Sequence, residues 1–248
     1  MFHIDTHETL RDDLLTAVAK NGFALKYASD TLRNDPEVVL TAVAQNGHAL
    51  KHASETLRND RDFVLRAVAT NGYALACASE TFHNDREVVL AAVVNDGEAL
   101  ECAHMTLRND VGIVFAAVTQ NGFAMAYASE TLRNDREVVL AAVTQNGYAL
   151  RCALETFRND REVVLAAVGS DGEALKYAHT ALLADHRILS TAVNETRTAL
   201  DFIPRGLRAQ YTRAGPVQTR LLFKYMAVPF NLPDDVVVSH IVPKCHCI

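Results

Sequence analysis

Hydrophobic and polar positions alternate in this chain with a period of 25 residues. Gly22, Gly47, Gly72, Gly97, Gly122, Gly147 and Gly172 mark the period without exception. Apolar columns keep step: Val18, Val43, Val68, Val93, Val118, Val143, Val168 and Val193 form one, and Leu25, Leu50, Leu75, Leu100, Met125, Leu150, Leu175 and Leu200 another. A polar column runs Asp35, Asp60, Asp85, Asp110, Asp135, Asp160 and Asp185. Internal repetition at this spacing is the signature of a stacked repeat protein.

One unit reads as follows. Asp135 suits a helix N-cap, because its carboxylate can accept from orphan amides of the first turn, and Glu137 places negative charge where the helix dipole favours it. Pro36 fills the first helical position of an earlier unit. Val138, Val139, Leu140, Ala142 and Val143 give a broad apolar face. Asn146-Gly147 reads as the helix end, with glycine as a left-handed C′ residue. A shorter helix over Tyr148–Ala153 and a polar turn over Glu155–Asn159 lead to the next cap. Ala17/Ala42/Ala67, Ala24/Ala49/Ala74 and Ala28/Ala53/Ala78 begin three alanine-rich columns that would let helices approach closely. A hairpin of this size cannot bury its own apolar face and must stack on its neighbours. The fold expected is all-α: a right- or left-handed α-solenoid of about eight 25-residue helical hairpins with a C-terminal capping segment. Thr9 and Asp12 read as a capping box for the first helix, and Pro204 closes the array. Residues 1–205 form the array and residues 206–248 a separate tail.

A longer period of 75 residues is superposed. Asp96-Gly97-Glu98 with His104 recurs as Asp171-Gly172-Glu173 with His179, and Asn71-Gly72-Tyr73 with Phe82 recurs as Asn146-Gly147-Tyr148 with Phe157. The pattern suggests duplication of three-unit blocks, in which case residues 36–110 and 111–185 should superpose better than blocks offset by 25 or 50.

Charge divides the chain at the same place as the repeat. Residues 1–204 carry 18 Lys+Arg against 28 Asp+Glu, and residues 205–248 carry six against two. An acidic array is unsuited to general nucleic-acid binding, which needs a basic stripe. No run is long and apolar enough to span a bilayer, and the first residues resemble no targeting signal, so a cytoplasmic protein is expected. Cys77, Cys102 and Cys152 share a column with Tyr27, Tyr127 and Tyr177, as at a packing position. Neighbouring helices some 8–10 Å apart do not suit disulfides, which need Cα atoms within about 7 Å.

No phosphate loop, His-Glu-x-x-His motif or nucleophile elbow is present, and the histidines His48, His52, His83, His104 and His179 are scattered over four columns, only His104 and His179 sharing one. The chain therefore reads as a non-enzyme without metal or cofactor, binding neither nucleic acid nor a small-molecule substrate. Arg33, Arg58, Arg108, Arg133 and Arg158 read as structural, pairing with acids such as Asp60 or Glu87. Recognition is expected where columns vary between fixed neighbours. One such column is Phe23, His48, Tyr73, Glu98, Phe123, Tyr148 and Glu173. The other, three residues on, is Lys26, Lys51, Ala76, Glu101, Ala126, Arg151 and Lys176. At i and i+3 these are helical neighbours, and together they make a mixed aromatic and charged stripe of the kind that binds proteins.

The runs Asn-Asp-Arg-Glu-Val-Val-Leu-Ala-Ala-Val, Asn-Gly-Tyr-Ala-Leu and Ala-Ser-Glu-Thr-Leu-Arg-Asn-Asp resemble a family of tandem helical repeats catalogued only as a domain of unknown function. The resemblance covers roughly residues 8–205. It implies a repeat fold and an occurrence in intracellular bacteria, protists and large viruses, hence action in a host cell. It brings no catalytic residues. Two alternatives concern the tail. Cys245, four residues from the end, resembles a prenylation position, although His246 and Cys247 are not its usual aliphatic pair; lipidation there would make a membrane-tethered adaptor. An enzyme site between array and tail would involve Arg205, Arg208, Arg213 and His240.

Overall fold

The computed structural model describes residues 6–212, all of whose regular elements are helical. Each unit holds three helical segments rather than two. A long α-helix comes first: Thr6–Lys20, Pro36–Gln45, Arg61–Thr70, Arg86–Asn95, Val111–Gln120, Arg136–Gln145, Arg161–Ser170 and His186–Glu195. A six-residue 3₁₀ helix follows, from Gly22–Tyr27 through Gly72–Cys77 and Gly147–Cys152 to Arg197–Phe202. The stretch expected to be a polar turn forms a third, shorter segment, such as Glu55–Asn59 or Glu130–Arg133. Ser54 and Ser129 cap these last two, each hydroxyl accepting from a leucine amide three residues on. His179 does the same work with its ring nitrogen, which accepts from the Ala181 amide at 3.2 Å.

Long helices stack on long helices and 3₁₀ helices on 3₁₀ helices, so the core is one continuous row between two ladders. Val38, Val39, Ala42, Val43, Ala49 and Leu50 fill one layer without solvent exposure, and the same columns repeat down the array. Alanine at the first two columns leaves room for this approach.

The glycine column has a different role from the one expected. The Asn or Asp before each glycine is extended and caps the 3₁₀ helix; Asn71 has φ −152° and its side chain accepts from the Tyr73 amide at 3.1 Å. No glycine of the column adopts a left-handed conformation; what it provides is close approach. A Cβ on Gly72 would stand 2.6 Å from the Ala92 carbonyl oxygen of the next layer. Gly22, Gly97, Gly122, Gly147 and Gly172 meet the equivalent alanine carbonyl at least as closely, and Gly47 meets Asn71 and the Tyr73–Ala74 backbone. The freed amides are satisfied across the layers: Gly72 N–H donates to Asn95 Oδ1 (2.8 Å), and Gly97 and Gly122 donate to Gln120 and Gln145 (both 2.6 Å). The same side chains donate back to Ala69, Asn95 and Gln120 carbonyls at the ends of the preceding long helices. In the last unit the glycine is replaced by Arg197, which is exposed.

A second ladder joins the helix N-termini. Arg61 reaches Asp85 and Glu87 of the next layer (both 2.7 Å), Arg86 reaches Asp110 (2.9 Å), Arg136 reaches Glu162 (2.5 Å), and Arg161 reaches Asp185 (2.6 Å). Arg11 pairs likewise with Asp35 and Glu37. The ladder position is held by Pro36, Val111 and His186 at intervals of 75, none of which supplies a guanidinium. Asp60 and Asp135, which face Pro36 and Val111, are exposed, whereas the partnered aspartates are half-buried.

The column Arg33 to Arg158 does not make the expected pairs with Asp60 or Glu87. Arg108 turns back onto the carbonyls of Ala103 (2.8 Å) and Glu101, at the end of its own 3₁₀ helix. Arg208 does the same to Ile203 and Asp201 (both 2.7 Å), and His83 to Leu75 (2.9 Å). A cation at a helix C-terminus suits the dipole there. Arg33 pairs with Asp30 in its own segment.

The ends also differ from expectation. The first helix is already running at Thr6, so Thr9 and Asp12 lie inside it rather than at its start. Pro204 does not end the array but precedes one more helix, Arg205–Thr212, whose Tyr211 is buried with its ring centroid 5.5 Å from that of His186. The proposed prenylation position Cys245, together with Arg213 and His240, lies outside the described residues.

Candidate protein-binding face

The two variable columns lie on the ladder of 3₁₀ helices. Each 3₁₀ helix turns every three residues, so the two positions eclipse one another on one side. Phe23, His48 and Tyr73 are exposed at an edge, while Glu98, Phe123, Tyr148 and Glu173 are half-buried. Lys26, Lys51, Glu101, Arg151 and Lys176 are exposed.

Contacts run between layers as well as within a helix, where Lys26 meets Tyr27 and Lys176 meets Glu173 and Tyr177. The Lys51 ammonium stands 5.2 Å from the centroid of Phe23, Arg151 5.0 Å from Phe123, and Lys176 4.5 Å from Tyr148. In every case the cation comes from 28 residues later, in the next unit. His48 and Tyr73 stack with centroids 5.9 Å apart. Tyr73 donates to Glu98 at 3.0 Å, and Asn121 donates to the other Glu98 oxygen at 3.1 Å. Tyr148 donates to Glu173 at 2.6 Å, and Thr198 donates to its second oxygen at 2.6 Å. Rings and charges thus follow one another across successive layers.

These bonds alter the titration of the stripe. Hydrogen bonds to Glu98 and Glu173 push Tyr73 and Tyr148 up to about 12. Glu173 is held below the usual carboxylate range by the Thr198 and Tyr148 hydroxyls. Burial, and then the charges of Lys51, Lys26 and Arg33, push His52 down.

A third column belongs to this face and was read from the sequence only as packing. Tyr27, His52, Cys77, Cys102, Tyr127, Cys152, Tyr177 and Phe202 lie four residues after the aromatic column, and all but the exposed Tyr27 are half-buried beside it. The ring of Phe23 meets His52 edge-on at 6.2 Å, and Tyr148 meets Tyr177 at 6.1 Å. The i, i+4 spacing was the available signal. Cys77, Cys102 and Cys152 are free thiols, and burial pushes the Cys77 and Cys102 thiols up, away from the reactive thiolate.

Among the described residues, no group of three or more His, Cys, Asp and Glu side chains is placed to hold a metal ion. No helix among them is long and apolar enough to cross a membrane. An open, polar depression of about 420 Å³ lies around Tyr73, between Asn95, Asp96, Glu98, Gln120 and Asn121.

Stacked three-segment units, a continuous core and a variable edge define a helical-repeat protein of the α-solenoid class. The model of the family described as Domain of unknown function (DUF4116) matches residues 11–57, 35–83, 85–133, 112–158, 135–183 and 160–208, and the chain belongs to that family. No curated protein and no solved structure matches the chain.

Proposed function

We propose that the chain is a non-enzymatic scaffold that binds another protein through the aromatic and charged stripe of its 3₁₀ ladder. The observation that supports this reading is the geometry of the stripe. Exposed and half-buried rings are packed and hydrogen-bonded against the following layer, and exposed Lys and Arg side chains lie across several of them. Rigid aromatic anchors with little entropy to lose, rimmed by charge, are what concentrates binding energy at protein interfaces. The resemblance to repeats from intracellular organisms extends the reading to action in the cytosol of a host cell.

The test uses the full chain as bait in host-cell extract, followed by titration of the purified partner. Replacing Tyr73, Phe123 and Tyr148 together by alanine is expected to weaken that partner at least about tenfold, since such anchors typically contribute more than ~1 kcal/mol each. Circular dichroism confirms that the variant is folded. An unchanged affinity for the triple variant would remove the stripe as the binding face. Tagged protein excluded from the host cytosol would remove the cellular part of the reading.

A further inference from the structure

The 75-residue period sets two related clusters on the stripe, and they differ at one telling position. In the C-terminal cluster the Lys176 ammonium lies 4.5 Å from the Tyr148 ring centroid, 5.1 Å from Tyr177, 5.8 Å from Phe202 and 4.0 Å from the Glu173 carboxylate. Three rings and a carboxylate surround one cation, the arrangement that best recognises an ammonium group.

In the other cluster the frame is retained. Tyr73 donates to Glu98 as Tyr148 does to Glu173. Tyr127 stands where Phe202 does, and the smaller Cys102 stands in place of Tyr177. The position of Lys176 is taken by Glu101. The position that supplies a cation to Phe23, Phe123 and Tyr148 therefore supplies a second carboxylate in this cluster, and that carboxylate acts on the Tyr127 hydroxyl. Glu98 is fixed by bonds to both of its oxygens, so it cannot swing away from the ring. The open depression of about 420 Å³ borders the cluster on the Tyr73 and Glu98 side, where its lining adds Asp96 and side-chain amides; Glu101 and Tyr127 lie outside that lining.

We propose that the cluster of Tyr73, Glu98, Glu101 and Tyr127 receives a lysine or arginine side chain of the protein partner, whose charged head takes the position that Lys176 takes in the other cluster. The aliphatic stem of such a side chain lies against the ring while its head meets the carboxylates. The inference rests on the scaffold reading and names what the partner presents.

The experiment is an NMR titration of the full chain, following the ring resonances of Tyr73, Tyr127 and Tyr148. The probes are a capped Gly-Ser-Lys-Ser-Gly peptide, its norleucine counterpart and methylammonium chloride. The lysine peptide is expected to shift Tyr73 and Tyr127, and the norleucine peptide is not. Glu101→Lys provides the chain's own ammonium and is expected to weaken the peptide about tenfold or more. Lys176→Glu opens the second cluster, so that Tyr148 comes to respond as well. Each substitution installs the residue native to the equivalent position of the other cluster, so neither threatens the fold. Equal shifts with norleucine, an unmoved Tyr73, or an unchanged titration for Glu101→Lys overturns the proposal. Methylammonium binding as tightly as the peptide assigns the cluster to a free small cation and also overturns it. If Tyr73 does not respond while the triple stripe variant still loses its partner, this inference falls and the scaffold stands. A Tyr73 response with no protein partner dependent on the stripe removes the scaffold reading, and with it the partner side chain named here, leaving only a cluster that binds lysine peptides.

Discussion

Replacing Gly72 by alanine sets one methyl group against the backbone of the following layer. The new Cβ would stand 2.6 Å from the Ala92 carbonyl oxygen, 2.8 Å from Asp96 Cβ and 3.1 Å from the Asp96 amide nitrogen. None of these atoms can rotate away. The layers must part by about 0.8 Å to reach the ordinary contact distance of 3.4 Å. Parting a close-packed interface by that much forfeits a quarter to a half of each dispersion contact across it. Overpacking of this kind costs ~1–3 kcal/mol, and stretching the Gly72–Asn95 hydrogen bond adds about 1 kcal/mol. A loss of about 2–4 kcal/mol is expected. Urea denaturation of the full chain, fitted with coupled layers rather than as two states, measures it. Gly169→Ala is the control: its nearest neighbour would be 3.9 Å away and its site is helical, so alanine there should stabilise by about 0.5–1 kcal/mol. Gly72→Asn separates sterics from conformation. A left-handed glycine site tolerates asparagine, whereas a close-approach site rejects it more strongly than alanine. A Gly72→Ala protein within ~0.5 kcal/mol of the parent, or one less stable than Gly72→Asn, would refute the argument.

Two further outcomes concern the ion-pair ladder. Val111→Arg is expected to reach Asp135 and stabilise the array by ~0.3–1 kcal/mol, a gain that urea midpoints should show to shrink at high salt. The guanidiniums of Arg61 and Arg86 hold Asp85 and Asp110 below the ordinary carboxylate value of 3.8. Their folded forms therefore bind a proton more weakly than the unfolded chain does. The stability they contribute is present above 3.8 and is lost as pH falls through their lower folded values. Arg61→Gln should flatten that acid limb in a pH series of urea midpoints, and an unaltered acid limb would exclude Asp85 from it.

What the sequence reveals depends on whether a position's partner is near it in the chain. The valine, leucine and alanine columns are legible because every layer presents the same environment to the same position. The Asp N-caps are legible because their partners lie two or three residues away, as with Asp85 and the Glu87 and Val88 amides. The role of Gly72 is not, because a glycine after a helix serves equally as a left-handed turn or as a clearance, and the atom it clears is on Ala92. The pairing expected of the Arg108 column falls instead to that of Arg61 for a similar reason: Arg61 reaches 24 and 26 residues ahead, whereas Arg108 turns five and seven behind. The third segment escapes hydropathy because one turn, as in Glu155–Arg158, is too short to show a period. The two variable columns are legible as a stripe, yet the neighbours of each ring, Lys51 for Phe23 and Lys176 for Tyr148, come from the following layer.

The positions at which the arginine ladder stops, Pro36, Val111 and His186, fix how such an array can change length. Insertion or loss of 75 residues leaves every arginine facing the aspartate it faced before, and carries the stripe forward in phase. A change of 25 keeps the core intact, since every layer's core is alike, but shifts the ladder and the stripe out of step with each other's next copies. The core repeats with every layer, while the arginine ladder repeats with every three. A longer relative built from one such cassette would display one cluster of the same kind in every three layers, presenting a partner with evenly spaced grips.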